Sequence, residues 1–120
     1  MEAAVPRASH VNVMKLPSGK ALARIDEGEE MTLDGIVWKL LIVLTRDEGV
    51  DAGPFVDFKM PEEIRRSLEK LMERKVTQRS IKQNVLRLRN ALAEAYYPKD
   101  LVEYEKGRGY RFKLLRRPRS

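Results

Sequence analysis

The stretch from Thr77 to Pro98 constrains the fold more than any other part of the chain. Ile81, Val85, Leu88 and Leu92 follow one another at spacings of four, three and four. At about 100° per residue they share one face of a helix. Thr77 is a good N-cap and Pro98 cannot continue a helix, so the spacing predicts a helix over about 77–96. Its far side collects Arg79, Lys82, Gln83, Leu86, Arg87 and Asn90. Between Thr77 and Ala93 there are four cations and no acid, the first being Glu94. Exposed helices ordinarily mix signs, because like charges one turn apart repel. A polyanion would relieve that repulsion.

The segments upstream have a different rhythm. His10–Leu16 alternates with Val11 and Val13 on one side, Pro17–Lys20 reads as a turn, and Ala21–Ile25 reads as a second strand. Asp26–Glu30 turns the chain toward a short strand at Met31–Leu33, giving a small antiparallel meander. Helical spacing begins after Asp34, a candidate N-cap, with Ile36, Leu40, Leu41, Val43 and Leu44 on a broad apolar face near Trp38. That helix is expected to end near Arg46, before Gly49. Pro61 suits a first helical turn, where Glu62 and Glu63 meet the positive end of the dipole. Ile64, Leu68, Leu71 and Met72 then give a second helix its stripe to about Arg74. Gly49–Phe58, broken by Gly53 and Pro54, reads as loop or short strand.

Charge separates the two halves. Residues 1–60 hold 7 Lys/Arg against 10 Asp/Glu, a net of −3, whereas residues 61–120 hold 17 against 8, a net of +9. A polyanion-facing surface on the C-terminal half follows from that asymmetry. With 120 residues the chain is one domain's worth. It has no cysteine, which excludes disulfides and thiolate metal sites, and its single histidine, His10, reads as a solvated surface group. Triads and histidine metal centres lack their parts, so neither catalysis nor a cofactor nor a metal is expected. No signal peptide is visible, and the longest apolar run, Ile36–Leu44, contains Lys39 and is too short to span a bilayer. A cytoplasmic protein is expected, with no membrane partner.

After Pro98 come two short strands, Leu101–Glu105 and Gly109–Leu114, joined by a Lys-Gly-Arg-Gly turn. Gly107 and Gly109 supply the positive φ that tight hairpins need, and Lys106 and Arg108 project from the tip. A meander, three helices and a hairpin with a basic tip make up the plan of an α+β winged helix-turn-helix.

Two motifs carry a resemblance to a family. The sequence RSIKQNVLRLRNAL, Arg79 to Leu92, resembles the recognition helix of the OmpR/PhoB-type winged-helix DNA-binding (effector) domains of bacterial response regulators, which reads close to R-T-V-D-V-H-I-x-R-L-R-x-K-L. LVEYEKGRGYRF, Leu101 to Phe112, aligns without a gap to the family's wing, L-I-x-T-V-R-G-x-G-Y-R-F/L. The likeness covers about residues 10–115. It leaves 1–9 as a flexible leader and 116–120 as a frayed basic tail.

The resemblance implies roles. Arg79, Asn84 and Arg89 occupy places that hold DNA phosphates, and Ser80, Lys82, Gln83 and Arg87 occupy places facing bases or the groove. Tyr104 and Tyr110 fall at wing positions that touch the backbone. Lys106 replaces the arginine that enters the minor groove, and Gly107, Arg108 and Gly109 complete the tip. Lys82 and Gln83 stand where Asp and Val are common, and Leu86 where a polar residue often contacts DNA, so a base preference is not inherited. The loop Glu73–Val76, where activators of the family meet RNA polymerase, is short. RNA polymerase and a second copy of the chain on repeated half-sites are the further partners the resemblance brings. No receiver domain precedes residue 10, so an excised effector domain or a stand-alone, nucleoid-associated regulator is expected.

Three other readings compete. The RNA-recognition octapeptide resembles Lys106–Phe112 but needs an aromatic at Arg108 and a following helix and strand, for which eight residues do not suffice. A phosphate loop needs four residues between its glycines and then Gly-Lys-Ser/Thr before a helix, and here the glycines precede a strand. The third, a winged-helix protein-interaction module with weak or no DNA binding, should have shed the cations of helix and wing, and both are present.

Overall fold

The computed structural model describes residues 7–49 and 53–116. Strands β1 (Val11–Lys15), β2 (Ala21–Ile25) and β3 (Glu30–Leu33) form an antiparallel sheet in that order, with Val13 opposite Ala23 and Ala23 opposite Met31. The period of two decides which side chains enter the core. Ala21, Ala23 and Ile25 are buried along β2, while Arg24 between them is exposed. Three helices follow, α1 (Gly35–Leu44), α2 (Pro61–Met72) and α3 (Gln78–Glu94). A single 3-10 turn at Lys99–Leu101 then leads into a hairpin of β4 (Val102–Glu105) and β5 (Gly109–Phe112). The result is a compact α+β fold of three helices and two small antiparallel sheets.

The central helix is α1, with Val37, Trp38, Leu40, Leu41, Val43 and Leu44 all buried. The Trp38 indole also donates to the Gly19 carbonyl at 3.0 Å, which fixes the β1–β2 turn over the helix. Against α1 lie Ile64 and Leu68 of α2 and the stripe Ile81, Val85, Leu88 and Leu92 of α3. Leu33 and Phe112 close the same core from the two sheets. Truncating a fully buried leucine here, Leu88 for instance, costs about 2–5 kcal/mol, because the cavity collapses only in part.

Helix ends fall slightly inside the expected bounds. Glu73 takes a left-handed conformation (φ 56°) and its N–H reaches the Glu69 carbonyl at 2.8 Å, so α2 stops before Arg74. Tyr96 does the same after α3 (φ 66°), and the Tyr97 N–H turns back to the Leu92 carbonyl at 2.8 Å. The Tyr97 hydroxyl lies 2.5 Å from the Glu29 carbonyl and accepts from the Ile25 N–H at 3.2 Å, pinning the end of α3 to the first sheet.

Residues from both the expected leader and the expected tail pack against the fold. The segment expected to be a flexible leader includes Ala8, which is fully buried. Ala8 pairs with the strand continuing from β5: its N–H donates to Lys113 and its carbonyl accepts from Leu115, both at 2.8 Å. Backbone groups in a core must find partners, and this pairing supplies them. Arg116, expected to begin a frayed tail, is instead paired with the buried Asp57 carboxylate and lies 3.4 Å from that of Asp47. Residues 1–6 and 117–120 of the leader and tail lie outside the described residues.

The segment before α2 also joins the hairpin. Lys59 and Tyr110 exchange backbone hydrogen bonds at 2.7 and 2.9 Å, Val56 donates to Leu114 at 2.9 Å, and Phe55 bridges Leu115. The hairpin is thereby fastened to the loop that delivers α2.

Candidate nucleic-acid interface

Helix α3 starts at a working cap. The Thr77 side chain accepts from the Ser80 N–H at 3.1 Å, which satisfies one of the unpaired donors of the first turn. From there the core stripe fixes the rotation of the helix, and its opposite face becomes a surface. Arg79, Lys82, Gln83, Leu86, Arg87 and Asn90 are all exposed, as the periodicity requires. Among the described residues, Arg79 and Lys82 form no ion pair. Leu86, at 58% exposure, is a large apolar side chain set among these polar ones.

Arg87 is different. Its guanidinium pairs with the Asp34 carboxylate at the start of α1 and donates to the Asn84 side-chain oxygen at 3.2 Å. The Asn84 amide in turn donates to the Ser80 carbonyl at 2.8 Å and the Ser80 hydroxyl at 3.1 Å. A polar chain therefore runs from the N-terminal turn of α3 through Ser80, Asn84 and Arg87 to Asp34. Asn84 itself is buried, at 5% exposure. Its side-chain amide serves Ser80 and Arg87 within the fold.

Arg89 is also a structural member. It is half-buried and donates from Nε (3.3 Å) and Nη2 (3.0 Å) to the Val102 carbonyl, where β4 begins. The fork thus sets the angle between α3 and the hairpin.

The two tyrosines of the hairpin separate. Tyr104 is exposed at 53%, whereas Tyr110 is buried at 5%, its ring 4.9 Å from that of Tyr104. Burial, followed by the neighbouring Tyr104, pushes the Tyr110 hydroxyl above its ordinary pKa. Tyr110 is thus part of the hairpin's packing. Tyr104 keeps an accessible ring and hydroxyl.

At the tip the glycines have different tasks. Gly107 (φ 86°) faces open space, so there it is the backbone conformation that selects glycine. Gly109 (φ 97°) is buried against Lys59, and a Cβ on it would lie 2.2 Å from the Lys59 carbonyl oxygen. The close backbone approach at this glycine is therefore internal to the fold.

Lys106 is exposed and forms no ion pair among the described residues. Arg108 folds back, with its guanidinium 4.3 Å from the Phe58 ring centroid and 3.5 Å from the Glu105 carboxylate. Arg111 stacks over the same ring at 4.3 Å and over Phe55 at 5.0 Å, while its Nε donates to Glu103 across the strands at 2.7 Å. These stacks have the geometry of cation–π contacts. They tie the hairpin to the Phe55–Phe58 segment, and the sequence gives no periodic signal for them.

Beneath the hairpin lies Lys59, 2% exposed, whose ammonium donates to the Arg46 carbonyl at 2.7 Å. Burial lowers its pKa, opposed by the nearby Glu48 and Asp57 carboxylates. No helix among the described residues is long and apolar enough to cross a membrane. Comparison with known proteins finds no matching family model, no matching curated protein and no matching solved structure.

Proposed function

We propose that this chain is a sequence-specific double-stranded DNA-binding protein, a transcriptional regulator built on the winged-helix plan of the OmpR/PhoB-type domains it resembles. In this reading α3 enters the major groove and the β4–β5 hairpin tip meets the adjacent minor groove or backbone. The observation that carries it is the outward face of α3. Four cations lie between Thr77 and Ala93 without an acid, Arg79 and Lys82 without an ion pair among the described residues, and the exposed Lys106 stands at the tip of the hairpin that Arg89 ties to the same helix.

The division of labour follows from what each side chain is free to do. Arg79, Lys82 and Lys106 supply charge to phosphates or the minor groove, which sets affinity and register. Gln83 and Arg87 present donors, and Gln83 also an acceptor, to base edges. Tyr104 offers a hydroxyl to the backbone. Ser80, Asn84 and Arg89 hold these groups in place. Selection of duplexes from fragmented genomic DNA, followed by footprinting, tests the reading. A protected site with a common sequence supports it, and recovery of fragments no different from the input refutes it.

A further inference from the structure

Asp34 occupies the N-cap position of α1, yet its side chain makes no capping hydrogen bond. An N-cap aspartate ordinarily accepts from a first-turn N–H of its own helix. Here the carboxylate is turned outward to Arg87 on α3, with the Lys20 ammonium 3.9 Å away on its other side. Both Asp34 and Arg87 are half exposed, and Asn84 holds a second guanidinium nitrogen of Arg87. The arginine is gripped from two directions, by residues on two helices.

We infer that Asp34 is a positioning residue that aims Arg87 at a guanine; the inference rests on the DNA-binding reading above. A guanidinium carries five N–H donors in a planar fork. Asn84 and Asp34 occupy one donor on each terminal nitrogen, which leaves three on the half-exposed group. Paired donors from such a fork match the O6 and N7 acceptors of guanine in the major groove. The adjacent carboxylate also decides the type of partner. It offsets the charge of Arg87 and repels phosphate, so a neutral base edge suits Arg87 while the exposed Arg79 and Lys82 suit the backbone. Holding the fork in advance lowers the ordering cost of each hydrogen bond made on binding.

The test uses the duplex preferred by the wild-type chain. Each guanine in it is replaced singly by adenine and by 7-deazaguanine, which lacks the N7 acceptor. Dissociation constants are then measured for wild type, Asp34→Asn, Asp34→Ser and Arg87→Ala, with thermal unfolding of each. Serine keeps a good N-cap, so loss of folding cannot explain both Asp34 variants.

At one guanine the wild type discriminates about tenfold to a hundredfold. Both Asp34 variants reduce that ratio to a few-fold while binding unrelated duplexes as well as wild type or better, and Arg87→Ala abolishes it. Wild-type discrimination in folded Asp34 variants overturns the inference. So does equal strengthening toward all duplexes, which makes Asp34 a competitor for Arg87. If the wild type selects no duplex at all, the DNA-binding reading itself fails before any variant is measured, and the inference fails with it.

Discussion

The carbonyl oxygen of Lys59 lies where a side chain on Gly109 would begin, 2.2 Å from the position of a Cβ. Lys59 exchanges backbone hydrogen bonds with Tyr110, the residue after Gly109, so the contact cannot open without unpairing the hairpin from the segment before α2. Gly109→Ala therefore combines a disfavoured backbone conformation with a collision against backbone. It is expected to cost about 2–4 kcal/mol. Gly107→Ala meets open space and carries only the strain of its positive φ, about 1 kcal/mol. Urea unfolding of the two variants checks the difference, and equal losses would contradict the internal role of Gly109.

Lys59 gives the fold an alkaline signature. Burial lowers its pKa below the ordinary 10.5. Between the lowered value and 10.5 the unfolded chain binds the extra proton, so stability attributable to Lys59 rises with pH across that window. Below the lowered value the full cost of burying the charge is present. Tyr110 acts oppositely: its raised pKa makes stability fall above the ordinary tyrosine value of 10.0. The unfolding free energy of wild type relative to Lys59→Met is therefore expected to increase as pH approaches the ordinary lysine value of 10.5 from below. A difference that stays flat would show that Lys59 is not buried as a cation.

At the acid end the relevant group is Glu62. Hydrogen bonds from Arg65 and then Gln78 hold its carboxyl at about 2, against an ordinary 4.5. The Gln78 contact, at 3.1 Å, joins α2 to the first turn of α3. A depressed carboxyl contributes stability above its unfolded pKa and loses it as pH falls from 4.5 through about 2. Glu62→Gln is expected to flatten that part of the acid-unfolding profile. Thermal melts between pH 5 and pH 2 measure it, and parallel profiles for the two proteins would contradict the contribution.

Much of this architecture was legible in the sequence, because periodicity reports which face an element buries. The stripe Ile81, Val85, Leu88 and Leu92 is buried, and the residues expected opposite it are exposed. The hairpin bounds follow from Gly107 and Gly109. What periodicity does not report is where a polar side chain finds its partner. Asn84 and Tyr110 share motifs with exposed residues, yet burial against Ser80 and Tyr104 removes them from the surface. Arg87 finds Asp34, 53 positions earlier, and Arg116 finds Asp57, so pairings at that separation leave no local pattern. Lys59 follows a stretch broken by Gly53 and Pro54 and precedes the helix signal at Pro61, so no pattern marks it.

Arg87 and Lys106 should separate in binding. Arg87→Ala changes which duplexes are preferred, costing about 1–3 kcal/mol on the best site and little on others. Lys106→Ala weakens all sequences alike and lowers the salt slope by about one. Competition assays against the preferred and a scrambled duplex distinguish the two. A uniform loss from Arg87→Ala would contradict its assignment to bases.

The most direct measurement of the central claim is the salt dependence of duplex binding. Each phosphate neutralised contributes a slope of about −0.9 in log Kobs against log salt concentration. With Arg79, Lys82 and Lys106 engaged together, the expected slope is about −3 or steeper, and it becomes shallower in Lys106→Ala. Absence of a mobility shift at low salt, or affinity that does not change with salt, would contradict DNA binding by this face.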